Sequence, residues 1–219
     1  MGDGPPQPPP DLGADLGLER IVFFSDAVIA IAITLLAIEI RLPELHGEVA
    51  AELPRALAGL GPRYFSFAIS FLVVGSYWWV HHRMFWVIRR YDDTLIWLNI
   101  LFLLCVAFIP FASAVLGEHG DQRSAAVFYS LVIIATGLVE TLLWVYAAHG
   151  HRLVAARLSS RAIRLATLRQ LTAPAVFLLA LPLAWIHPYL AMAAWGAIYP
   201  LTAVLRRVER VGPRAPRGH

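Results

Sequence analysis

The sequence predicts an all-α membrane protein with six transmembrane helices, and three observations carry that prediction. Hydrophobic residues make up 58% of the 219-residue chain and charged residues 15%, against about 45–50% and about 25% in ordinary globular chains. Too few polar side chains are present to cover a water-facing surface, and the mean hydropathy is +0.63. The apolar residues also gather into six runs. A run of about 20 residues, rising about 1.5 Å per residue, covers the roughly 30 Å of a bilayer core. The single cysteine, Cys105, excludes an intrachain disulfide.

Residues 1–19, rich in Pro, Gly and Asp, read as a disordered leader. No basic stretch precedes the first apolar run and no cleavage site follows it, so the leader lacks the pattern of a secretory signal. A six-span domain then covers residues 20–206, and a basic tail covers 207–219. The first span runs from about Ile21 to Ile40. The second begins near Tyr64, passes through SFAISFLVVGSYWWV, and continues as a polar helix through His81, His82 and Arg83 toward Arg90. The third covers about Thr94–Leu116 and the fourth Ser124–Ala148. The fifth and sixth, about Leu171–Ile186 and Pro188–Leu205, meet at a tight His187-Pro188 turn and form an antiparallel hairpin. Pro110, Pro174, Pro182 and Pro200 read as kinks of a kind that membrane helices tolerate. Between the first two spans, the Ala/Leu/Glu-rich stretch from Arg41 to Arg63 has room for a short surface helix.

Every one of the 18 basic side chains is arginine. The pI of about 9.3 would suit a nucleic-acid partner, but the arginines sit between apolar runs, which argues against one. With six spans, fourteen arginines fall on the side holding both termini. Four fall opposite: Arg41, Arg55, Arg63 and Arg123. The positive-inside rule puts both termini in the cytoplasm. Arg157, Arg161 and Arg164 share one face of the inner segment 150–169. Two readings stay open there, a basic helix lying on anionic lipid or a solvated linker.

The first span carries the chemistry that stands out. Ser25 and Asp26 lie early in a membrane helix, and an aspartate at a span centre costs on the order of 2.5–3.5 kcal/mol on insertion scales. Either they form a buried polar network that fixes this helix against its neighbours, or they cap its N-terminus. Further along, Ile31, Thr34, Leu35 and Ile38 recur at helical spacing on one stripe, which periodicity alone reads as packing or as the lining of a pore. Glu39 ends the span as an interfacial anchor or as part of a carboxylate ring that gathers cations. His81 and His82 point about 100° apart on a helix, a poor metal pair, so no metal site is expected. One of them facing Asp26, with Asn99 at a similar depth, makes a more useful arrangement. Glu140 reads as a snorkelling or helix-contact residue. Enzyme signatures such as G-x-S-x-G, H-E-x-x-H and the P-loop are absent from the sequence, and so is the TVGYG potassium filter. No second copy of the Phe-Ser-Asp stretch marks an internal repeat.

Arg20, Phe24, Ser25 and Asp26 fit an R-x-x-x-F-S-D signature. Together with AVIAIAITLLAIEI, SYWWVHHRMF and DDTLIWLNILFLL, it resembles the transmembrane protein 175 family of potassium channels, closely over about residues 19–116. The resemblance implies a homotetramer in the cell inner membrane that conducts potassium without a conventional filter, an enzyme activity or a cofactor. The first helices of four subunits would surround the axis, with rings of Ile31, Leu35 and Ile38 as constrictions and Thr34 contributing to selectivity. Arg20, Phe24, Ser25 and Asp26 would brace the pore helix through His81 or His82 and Asn99. Two other readings compete: a proton-conducting transporter that uses Asp26, His81 and Glu140 as a relay, and a non-conducting membrane scaffold.

Overall fold

The computed structural model describes residues 12–45, 49–155, 158–198 and 201–202. Helix α1 spans Leu12–Ile38. It therefore starts within the stretch read as a disordered leader, whose residues from Leu12 onward are helical. The run of Leu, Ile, Val and Ala carries the helix to Ile38, and Pro43, a few residues on, disfavours the α region for Leu42. The outer connection holds α2, Val49–Gly59, with no buried side chain, in the place left for a short surface helix. Helix α3, Gly61–Val87, carries Pro62 in its first turn, where no backbone N–H is needed.

Helix α4 covers Asp93–His119 and runs unbroken through Pro110. Helix α5 covers Arg123–Ala148. A 3₁₀ turn follows at His149–His151, with Gly150 at φ 58°, a backbone region open to glycine at little cost. The remaining helices are short: α6 Ser160–Gln170, α7 Thr172–Ala180, α8 Leu183–Ile186 and α9 Pro188–Trp195. Pro182 separates α7 from α8. The turn expected at His187-Pro188 separates α8 from α9, with His187 Nδ1 accepting from the Tyr189 N–H at 3.4 Å.

Four helical segments among the described residues are long and apolar enough to cross a membrane, or five if α2 and α3, bent by 46°, form one span. The fourth of these runs Ser160–Ile186, so the fifth predicted span begins earlier than Leu171. It takes in part of the basic stretch read as either a helix on anionic lipid or a solvated linker, because α6 leads into α7 at Leu171, which itself keeps helical geometry. Beyond α9 the sixth predicted span passes partly outside the described residues, as do the tail 207–219 and residues 1–11.

Helix α4 lies at the centre, packed against α1, α3 and α5, while α7 packs on α5. At that last contact an added Cβ on Gly137 would come within 2.5 Å of the Pro174 ring. Small residues allow this kind of close helix approach in membranes. One apolar cluster fills the body of the bundle, built on Val74, Phe102, Val106, Ile109 and Tyr129. A second closes the end where α3 meets α5, around Phe85, Leu95, Leu143 and Trp144. There the chain segments after α3 and α5 pair through an isolated antiparallel bridge, Ile88 with Val154.

Candidate functional site

Helix α1 has two opposed faces. Ser25, Ile29, Ala32 and Leu36 are all buried at positions i, i+4, i+7 and i+11, the spacing of a single stripe. The other face carries Ala27, Ile31, Thr34 and Ile38, flanked by Ala30 and Leu35, all exposed. Ile31 is 58% accessible, Ile38 62% and Leu35 40%. These four sequence-predicted residues therefore point away from the subunit's own core. The Thr34 hydroxyl donates to the Ile31 carbonyl at 2.8 Å, so its oxygen lone pairs remain free to accept. Glu39 follows the last helical residue and is half-buried.

Behind the buried face runs a directional chain of hydrogen bonds. Ser25 Oγ donates to the Ile21 carbonyl at 2.8 Å. With its proton committed there, Ser25 must accept, and Asn99 Nδ2 donates to it at 2.9 Å. Asn99 thus turns its carbonyl oxygen to His81, whose Nε2 lies 2.9 Å from Oδ1. The imidazole must carry its proton on Nε2, since the amide oxygen can only accept. Phe85 and Phe102 hold the ring in a stack, with centroids 4.4 and 5.4 Å away. Helices α1, α3 and α4 are joined by three side chains that are each at most 2% accessible.

Asp26 belongs to a separate, shallower arrangement. Its Oδ1 accepts from Trp78 Nε1 at 2.9 Å, and the Trp78 ring stacks on His82 at 5.6 Å. The structure thus divides the expected network. His81, Asn99 and Ser25 meet in the interior, whereas Asp26 and His82 meet through Trp78. Phe24 is 57% accessible and Arg20 is exposed, and both stand outside these bonds. The helix-cap reading of Ser25 and Asp26 is corrected, since α1 begins at Leu12 and both residues lie well inside it. Glu140 does not snorkel: it is 2% accessible and lines a cavity of about 160 Å³ with Tyr77, Arg169 and Gln170.

Three polar features were missed. Trp78, whose indole N–H holds Asp26, was given no role from the sequence. Ser66 and Ser70, four apart on α3, meet Ser113 of α4, and Ser70 Oγ reaches both Ser113 Oγ at 2.9 Å and Tyr129 Oη at 3.0 Å. Their spacing on one helical face was the available signal. Asp92 caps α4 by accepting from the Leu95 N–H at 2.9 Å. It also accepts from Tyr146 at 2.7 Å and pairs with Arg152 at 3.1 Å. Partial burial pushes the Asp92 carboxyl up, but these bonds and the Arg152 charge outweigh it and leave the group below its ordinary value. An Asp-Asp pair ahead of an apolar run is a helix-start signal.

Long apolar helices packed around a central α4, joined by buried polar bonds between side chains, define a polytopic α-helical membrane protein. Comparison with known proteins places it further. Residues 20–110 match the family model described as endosomal/lysosomal potassium channel TMEM175. A protein named a potassium channel from Streptomyces collinus is 36% identical over 82% of this chain and 88% of its own length. Another so named, from Chamaesiphon minutus, is 35% identical over 79% and 87%. The crystal structure of a lysosomal potassium-selective channel TMEM175 homolog from Chamaesiphon minutus superposes with a TM-score of 0.74. It is 32% identical, covering 86% of this chain and 97% of that one. The chain belongs to the TMEM175 family.

Proposed function

We propose that the protein is a potassium channel of the cell membrane, formed by four copies of a six-span subunit whose α1 helices surround the conducting axis. One observation carries this reading. Only 22% of the apolar window of α1 is buried within the subunit, against 50%, 56% and 39% for the other straight candidate spans. A helix with so little of its own core to face, yet with one stripe of Ile31, Thr34, Leu35 and Ile38 turned outward, is available to meet its symmetry mates. The named activity of the similar proteins supports the same choice. Both termini lie in the cytoplasm in this arrangement, following the arginine distribution.

The stripe then sets the chemistry. Rings of Ile31, Leu35 and Ile38 make an apolar neck that excludes water when narrow and admits hydrated ions when slightly wider. Potassium sheds its hydration water at lower cost than sodium, so a neck that strips water penalises sodium more. Thr34 presents an acceptor oxygen to the axis because its proton is committed to its own helix, and four such oxygens replace part of the lost water. Glu39, just past the helix end, raises the local cation concentration at the outer mouth. The channel thus selects moderately, without backbone carbonyls of the TVGYG kind.

The chain Ser25–Asn99–His81 and the contact Asp26–Trp78 hold α1 in register against α3 and α4. A proton relay through Asp26 and His81 is not favoured. Asp26 faces an indole and His81 an amide, neither of which passes a proton on as a relay group would. The test is flux from purified protein in liposomes under potassium, sodium and proton gradients. Potassium flux above sodium is expected, with Thr34→Ala narrowing that difference and Asp26→Asn keeping potassium flux. Proton flux alone, abolished by Asp26→Asn, would overturn the channel reading in favour of the relay.

A further inference from the structure

At the end of the bundle where α3 leads toward Asp92, a cavity of about 410 Å³ opens between α3, α5 and α6. Arg83 of α3 and Arg161 and Arg169 of α6 line it, and no aspartate or glutamate does. Arg169 already has interactions of its own, while Arg83 and Arg161 are exposed. The deeper wall is apolar, with Val80, Met84, Val87 and Leu165. Arginine over an apolar wall is the layout of a bilayer interface, and a guanidinium suits phosphate through paired N–H donors. The site also lies where candidate spans end or begin, at Val87 and Ser160. By the arginine count it lies on the cytoplasmic side, where anionic lipids attract basic groups.

We propose that this pocket binds one anionic phospholipid, its phosphate between Arg83 and Arg161 and an acyl chain along Val80, Met84 and Leu165. The proposal assigns a role to the arginine-rich segment and is independent of the pore reading. A lipid in this place ties α6 to α3 and thereby fastens the second half of the bundle to the first.

The full-length protein in a neutral detergent is titrated with phosphatidylglycerol, phosphatidylcholine or glycerol 3-phosphate, and its thermal unfolding midpoint is read. Phosphatidylglycerol raises the midpoint, and the other two leave it in place. Arg83→Gln and Arg161→Gln each weaken the apparent affinity about fivefold, the effect of about one charge near a lipid surface. Arg164→Gln, which removes an exposed charge from the same helix outside the pocket, leaves it unchanged. Equal weakening by Arg164→Gln would reduce the effect to general surface charge and overturn the site. Equal stabilisation by glycerol 3-phosphate would overturn the lipid assignment in favour of a soluble anion. Should the arginine variants fail to fold, native mass spectrometry of the unaltered protein from mixed micelles decides: retained phosphatidylglycerol supports the pocket, and no preference over phosphatidylcholine contradicts it.

Discussion

Asn99 does more than any other side chain to join the first three long helices, because an amide both donates and accepts. It donates a hydrogen bond to Ser25 and accepts one from His81, so α1, α3 and α4 converge on one group. Replacing it by alanine strands a buried N–H on His81 and removes the donor that Ser25 Oγ accepts from. A buried group left without a partner costs about 1–3 kcal/mol, and a typical interhelical bond in a membrane contributes about 0.6 kcal/mol. The first figure governs here, since the loss leaves orphans rather than a matched apolar pair. Asn99→Ala should therefore lower the thermal stability of the purified protein by about 1–3 kcal/mol. An unchanged unfolding midpoint would show that the bonds do not brace α1. The sequence made His81, Asn99 and Ser25 candidates by depth alone. It did not separate His81 from His82, because adjacent positions on a helix differ only in direction, and direction is decided by where Phe85 and Phe102 pack.

At the scale of elements, α1 was the most legible part of the chain. Its outward stripe follows from a period of 3.6 residues, and the buried stripe is its complement on the other side of the cylinder. Less legible were the breaks. The candidate span read as starting near Leu171 begins at Ser160 because α6 continues into α7, and the arginines on α6 led to its separation from the apolar run that follows. The cap at Asp92 had a local signal in its Asp-Asp pair, but its further partners Tyr146 and Arg152 come from a distant part of the chain. That cap carries a pH dependence. A carboxyl held below its ordinary value of 3.8 contributes stability that is complete well above that value and is lost as pH falls through the folded-state value. Asp92→Ala should cost about 1 kcal/mol near neutral pH, the usual worth of an N-cap. The gap from the unaltered protein should close as the medium is acidified through the folded-state titration of this carboxyl, below its ordinary value. A gap that persists unchanged in acid, measured by thermal unfolding across the pH series, would assign the effect to packing instead.

On the scale of the whole molecule, the subunit spends its burial unevenly. Helices α4 and α5 serve the interior, and α1 leaves its apolar stripe outside, where the proposed assembly sets it around the axis. Assembly itself could not be read from hydropathy: a stripe facing a pore, a partner or lipid has the same composition, and the proposed pore lining rests on the resemblance of the FSD region. The central claim is that Ile31 and Ile38 face a shared aqueous axis. Single cysteines at Ile31, Ile38, Ile29 and Leu36, each in a Cys105→Ser background, test it through block of liposomal potassium flux by silver ions. The account predicts rapid block at Ile31→Cys and Ile38→Cys and none at the buried Ile29→Cys and Leu36→Cys. Block confined to the buried pair, or an open and unblocked Ile31→Cys protein, would contradict it.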